Sequence, residues 1–116
     1  MKVLALIYGD ESRWDSFDEE QREAVYAKYR AFGEEAANRI VGGAELAPTR
    51  TATTVRVRDG QTVVTDGPFA ETKEALGGFY LLDCSSLDEA AELAARIPGA
   101  ETGAIELRPA REEEAA

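Results

Sequence analysis

Short apolar runs separated by helical patterns predict a mixed α+β chain. Residues 2–8 and 78–84 are apolar at successive positions, which predicts two central strands with apolar side chains on both faces. A short strand is expected at 44–47. The alternation of apolar and charged positions over 104–108 predicts a last strand.

Two helices are predicted from their start and stop signals. Ser16 and Ser86 each stand three residues before a glutamate, which is the pattern of a capping box. We expect the first helix to end at the glycine pair 42–43, where the chain can adopt a left-handed conformation. The second helix is expected to run to about Ile97.

Residues 53–65 carry the pattern of a β-hairpin. Positions 53–58 alternate, and Asp59-Gly60 suits the two residues of a type I′ turn, which both need a positive φ. The expected cross-strand pairs are Val57 with Thr62 and Val55 with Val64.

This order of elements predicts an α+β fold of the ferredoxin-like class, a split β-α-β sandwich with an inserted β-hairpin. The 116 residues suffice for one domain, which we expect to span residues 1–110. Residues 111–116 form an acidic tail that is expected to fray.

Two helices can cover only one face of such a sheet, although its central strands are apolar on both. A second copy of the sheet is the expected cover, which would give a homodimeric α+β barrel. The alternative is that the loop at 66–77 folds over that face within one chain.

Composition narrows the classes of function. Apolar residues are 44% and charged residues 31% of the chain, which is typical of a globular protein. The net charge of −10 argues against nucleic acid and anionic membranes as partners. Histidine is absent, and Cys84 is the single cysteine, so histidine-based catalysis, an internal disulfide and a Cys/His metal site are excluded. No metal or organic cofactor is indicated. The apolar run at 2–8 is too short for a membrane span, and we expect a cytoplasmic protein.

The segment 66–74 combines a rigid bend with crowded charges. Pro68 fixes the bend, and Phe69 is expected to pin it to the core. Such a segment can wall a ligand pocket, or it can be a solvated connector with local ion pairs. Its four ionisable residues are Asp66, Glu71, Lys73 and Glu74.

Each candidate has a functional and a structural interpretation. Asp66 is the best candidate for a catalytic base, although its carboxylate could instead stabilise the turn. Lys73 could bind an anionic ligand with Arg50 or Arg108, or pair with surface carboxylates. Tyr8 could reach a barrel mouth or serve as an interface aromatic. The full set of predicted ligand-binding residues is Tyr8, Arg50, Asp66, Glu71, Lys73, Glu74 and Arg108.

Several motifs in order resemble the DGPF branch of the YCII-related protein family. The likeness covers residues 2–109. It is carried by segments 6–11, 53–60, 66–69 (Asp-Gly-Pro-Phe), 71–74, 77–80 and 105–109.

The resemblance implies a ferredoxin-like subunit that dimerises through its sheets. It also implies a cleft with a His–Asp pair, but this chain has no histidine, and Asp66 could at most be the remaining acidic member. Two functions follow from it as expectations. One is a small-molecule-binding or weakly catalytic dimer with a cleft lined by residues 66–74. The other is an accessory module that acts with a sigma factor of the extracytoplasmic-function type.

Overall fold

The computed structural model describes residues 1–112 and contains six strands and three α-helices. The predicted tail therefore lies largely outside the described residues. In chain order the elements are β1 Lys2–Gly9, α1 Glu11–Asp15, α2 Glu19–Glu35, β2 Ile40–Glu45, β3 Thr53–Arg58, β4 Gln61–Asp66, β5 Ala75–Asp83, α3 Leu87–Ala94 and β6 Ala104–Pro109, with short 3-10 helices at Thr49–Thr51 and Pro98–Ala100.

Four strands form one antiparallel sheet in the order β2-β5-β1-β6. Within residues 1–112, strands β3 and β4 pair with each other as a separate two-stranded sheet. The predicted α+β class, ferredoxin-like with an inserted hairpin, is confirmed.

The core lies between the sheet and helices α2 and α3. Side chains alternate across the sheet, so that Val3 and Ala5 are fully buried against the helices while Leu4 and Leu6 point the other way. The small residues of α3 allow the helix to approach the sheet closely. The buried core consists of Val3, Ala5, Phe32, Ala36, Leu82, Cys84, Ala90, Leu93, Ala94 and Ile97.

The other side of the sheet carries a second apolar surface. Leu4 pairs across the strands with Leu81, and Leu6 pairs with Phe79. These four residues, which we call the open face, are only partly buried and do not belong to the core cluster. The central strands are therefore apolar on both faces, as the sequence predicts.

Phe69 does not cover the open face or pin its own loop. Its side chain is 80% exposed, so the prediction that it anchors the bend to the core is wrong. The bend is held instead by backbone hydrogen bonds, because Gly67 adopts φ 94° and donates its amide to the Ala52 oxygen at 2.7 Å.

The helix boundaries differ from the predicted ones in three places. Ser16 caps the C-terminus of the unpredicted short helix α1, and Asp18 is the N-cap of α2, where it forms the capping box with Gln21. Helix α2 ends at Glu35, so the glycine pair 42–43 lies inside β2. The third difference is that α3, although capped by Ser86 as predicted, stops at Ala94.

Gly43 is required inside β2 because the backbone of the neighbouring strand β5 leaves no room for a side chain. A Cβ at this position would lie 2.6 Å from the backbone oxygen of Phe79. The glycine pair therefore serves strand packing rather than helix termination.

The hairpin of residues 53–66, which we call the arm, has the predicted turn and register. Asp59 and Gly60 adopt φ 53° and 76°. The pairs Val57–Thr62 and Val55–Val64 are present. The arm projects from the subunit, whose radius of gyration of 16.4 Å exceeds the roughly 13 Å typical of a compact chain of this length.

Candidate functional site

A cavity of about 260 Å³ lies at the root of the arm. One wall is the 3-10 helix at Thr49–Thr51, which precedes β3, and the other is the loop at 68–72, which follows β4. We call this cavity the cleft. It is lined by Thr49, Arg50, Pro68, Ala70, Glu71 and Thr72.

Glu11 fixes the first wall of the cleft. Its carboxylate accepts hydrogen bonds from the Thr49 amide and the Thr49 hydroxyl, each at 3.0 Å, and both bonds are partly buried. A charged acceptor makes such bonds stronger than neutral ones. Glu11 therefore positions the short 3-10 helix that presents Arg50.

The second wall is tied to the base of the arm. The Thr54 hydroxyl donates to the Gly67 oxygen at 2.8 Å, beside the bond from the Gly67 amide to Ala52. Within the loop, the Thr72 hydroxyl donates to the Glu74 oxygen at 2.5 Å. These bonds hold the Asp-Gly-Pro-Phe bend and the loop after it against the start of β3.

Two predicted site residues, Arg50 and Glu71, line the cleft together. Lys73 lies close to the start of α1. Hydrogen bonds from the hydroxyl and amide of Ser12 hold the pKa of Asp10 below its ordinary value, with a smaller contribution from the Lys73 ammonium. The cleft therefore contains the Arg50 guanidinium beside the Glu71 carboxylate, in a chain that is acidic as a whole.

The remaining predicted residues lie elsewhere. Asp66 is exposed at the base of the arm, opposite Thr53, and does not line the cleft. Glu74 is exposed just before β5 and takes part through its backbone oxygen.

Tyr8 and Arg108 share the side of the sheet that carries the open face. Tyr8 pairs with Ala104 near one end of β1, and Arg108 pairs with Leu4 towards the other end. Four residues of strand separate these positions, which is about 13 Å. Arg108 also forms an exposed ion pair with Glu106 at 3.6 Å. One subunit therefore does not bring Arg108 to the cleft.

Sequence reasoning missed Glu11 and the threonines of the cleft. Glu11 and Thr49 are 38 positions apart, and no spacing rule links residues across that distance. The rigid bend at 67–68 was the one signal that pointed to this part of the molecule.

The described residues, 1–112, contain no cluster of His, Cys, Asp and Glu side chains able to hold a metal ion. Over the same range, no helix is long and apolar enough to cross a membrane. The residues that line the cleft offer a guanidinium, a carboxylate and hydroxyl groups.

Comparisons with known proteins agree with this fold. An uncharacterized protein, R00369, of Rhizobium meliloti (strain 1021) is 44% identical over 115 residues, which cover 94% of this chain and 91% of that protein. A solved structure of 5-chloro-2-hydroxyhydroquinone dehydrochlorinase (TftG) from Burkholderia phenoliruptrix AC1100, in complex with 2,5-dihydroxybenzoquinone, superposes with a TM-score of 0.57 at 16% identity. That likeness covers 97% of this chain and 96% of the dehydrochlorinase, and at this identity it shows the fold. The profile of the YCII-related domain matches residues 1–114. The chain therefore belongs to the YCII-related domain family.

Proposed function

We propose that this protein is a homodimer that binds a small molecule carrying an anionic oxygen group in the cleft. The observation that carries the proposal is the presence of Arg50 in a cavity of about 260 Å³ that Glu71 also lines. A guanidinium remains charged at any physiological pH; it can hold a carboxylate through two parallel hydrogen bonds and can donate to the single oxygen of a phenolate. The Glu71 carboxylate can accept a hydrogen bond from a hydroxyl group on the same ligand.

The size of the cleft limits the ligand to a small compound. Pockets for drug-sized ligands usually enclose about 300–1,000 Å³, and the cleft lies just below that range. The dehydrochlorinase of the same fold is in complex with 2,5-dihydroxybenzoquinone, a single-ring compound with several oxygens. That complex supports a single-ring ligand as the first class to test.

The homodimer is the second part of the proposal, and the open face supports it. Leu4, Leu6, Phe79 and Leu81 form an apolar surface on the side of the sheet opposite the core. Pairing two such faces about a two-fold axis removes both from water. Tyr8 and Arg108 would then line the space between the two sheets.

A thermal-shift screen of small carboxylic acids, hydroquinones and hydroxyquinones tests the binding proposal. We expect a compound that raises the melting temperature of the wild type and of Arg58→Ala, but not of Arg50→Ala. Arg58 is a matched control because it is exposed at the turn end of the arm and does not line the cleft. An equal shift in Arg50→Ala, or no shift with any compound, would contradict the proposal.

The same thermal-shift screen also tests the predicted role of Asp66 and the alternative of an accessory module. Asp66→Asn should leave the shift unchanged, because Asp66 lies outside the cleft; a lost shift would support its predicted catalytic or binding role. No ligand shift, together with co-purification of a sigma factor, would favour the accessory module implied by the DGPF resemblance.

A further inference from the structure

The arm has one apolar side and one basic side. Cross-strand register places Val55, Val57 and Val64 on one side, and Arg56 and Val63 on the other. The three valines of the first side, which we call the valine face, are each 61% exposed. Exposed valines at three neighbouring positions of one hairpin form an apolar patch rather than scattered single residues.

The arm receives no strand pairing from the four-stranded sheet within the described residues. Neither β3 nor β4 joins the four-stranded sheet, and the arm extends the chain beyond the dimensions of a compact subunit. A two-stranded hairpin is only marginally stable in water unless it packs against another surface. A surface packed on the exposed valine face would therefore stabilise the arm.

We propose that the arm lays its valine face on a second copy of this chain. This inference rests on the homodimer proposed above, but not on the ligand. A standard interface buries roughly 800 Å² on each partner, and the open face offers only four partly buried apolar residues toward it. The valine face adds further apolar surface, and a two-fold axis brings two such arms to each dimer.

The same contact would set the shape of the cleft. The two cleft walls are the segments that enter and leave the arm, at 49–51 and 68–72. An arm held against a second subunit would further restrain these segments, in addition to the hydrogen bonds that hold them within one chain. The ligand site of each subunit is then completed by assembly.

Thiol labelling of introduced cysteines tests this inference without a ligand. Val64→Cys and Val63→Cys place the same group at adjacent positions on opposite sides of one strand. Cys84, the natural cysteine, is 2% exposed, and burial raises the pKa of its thiol, so the introduced group dominates the reaction. In a lone subunit the cysteine at 64 should react faster, because Val64 is 61% exposed and Val63 only 44%.

The proposal predicts the reverse order in the assembled protein. With Ellman's reagent, the cysteine of Val64→Cys should react at least about tenfold more slowly than that of Val63→Cys. Dilution until the oligomer dissociates should restore the order of the lone subunit, and both variants should react equally in urea. Val55→Cys offers a second probe of the valine face should Val64→Cys fail to fold.

Equal labelling in the assembled protein, or faster labelling at 64, would overturn the inference. If the wild type is then still a dimer, the arm proposal alone has failed and the sheet-to-sheet homodimer stands. The labelling itself needs no ligand, so the thermal screen is scored separately from this result. The labelling order, the mass of the wild type and the ligand shift therefore test the arm, the dimer and the binding site in turn.

Discussion

Leu6→Glu should dissociate the homodimer without unfolding the subunit. Leu6 lies on the open face opposite Phe79, and it is partly exposed in the single chain. In the subunit alone the new carboxylate can therefore reach water. Between two paired sheets it would be buried beside Glu106, the residue that faces Leu6 on β6 and already pairs with Arg108.

The expected magnitude follows from the cost of burying a charge. Desolvating an unpaired carboxylate costs several kcal/mol, and the two-fold axis places two of them in each dimer. Even about 2 kcal/mol for each gives about 4 kcal/mol, or roughly a thousandfold rise in the dissociation constant.

Sedimentation velocity over a concentration series measures this change. Leu87→Glu is the matched control, because it adds the same charge at a site on α3 that is 44% exposed and lies on the helix side of the subunit. Circular dichroism would confirm that both variants fold. Dissociation constants within about threefold of one another would refute the reasoning, since long-range repulsion changes equally in both.

Four further changes test the packing and hydrogen bonds of the fold. Glu11→Ala removes two partly buried hydrogen bonds. Urea denaturation should show that the free energy of unfolding falls by about 1–3 kcal/mol. Amide exchange in the first cleft wall should become faster, and unchanged exchange would contradict the positioning role of Glu11. Gly33→Ala has open space in helix α2 and should raise the free energy of unfolding by about 0.5–1 kcal/mol, so a loss of stability would contradict the open surroundings of this residue. Gly103→Ala would push a methyl group into the Tyr8 backbone oxygen and should cost about 1–3 kcal/mol or more; wild-type stability would contradict this packing. Burial raises the pKa of Tyr29 above its ordinary value of 10.0, so the folded state holds the phenol proton more tightly than the unfolded state does. The free energy of unfolding should therefore fall as the pH rises beyond about 10, and it should fall less steeply in Tyr29→Phe.

The hairpin could be predicted from the sequence down to its register. An Asp-Gly pair between alternating strands determines both the turn type and the residues that face each other. The start of α3 was predictable for the same reason, since the Ser86 hydroxyl accepts a local hydrogen bond from the Glu89 amide at 3.1 Å. Both features depend on residues within a few positions of each other.

The errors arise where distant residues decide the structure. Ser16 and Asp18 both offer a helix start, and the chain uses the first to end α1 and the second to begin α2. Gly43 is needed because β5 approaches closely, which cannot be read from β2 alone. An aromatic residue beside a rigid bend favoured a buried anchor, but Phe69 is exposed.

The candidate site could be predicted only in outline. The bend at 67–68 and the nearby charges pointed to the correct loop, and Arg50 and Glu71 do line the same cavity. The wall presented by Glu11 and Thr49 depends on a contact across 38 positions. Only the folded chain brings Glu11 and Thr49 together, so this wall could not be predicted from local sequence.

The mass of the wild-type protein in solution tests the central claim most directly. In the proposed dimer, the open face of one sheet is covered by that of a second copy. Light scattering after size-exclusion chromatography at micromolar concentration should give about 25 kDa, twice the 12.6 kDa of the chain. A mass of 12.6 kDa under these conditions would contradict the proposed dimer.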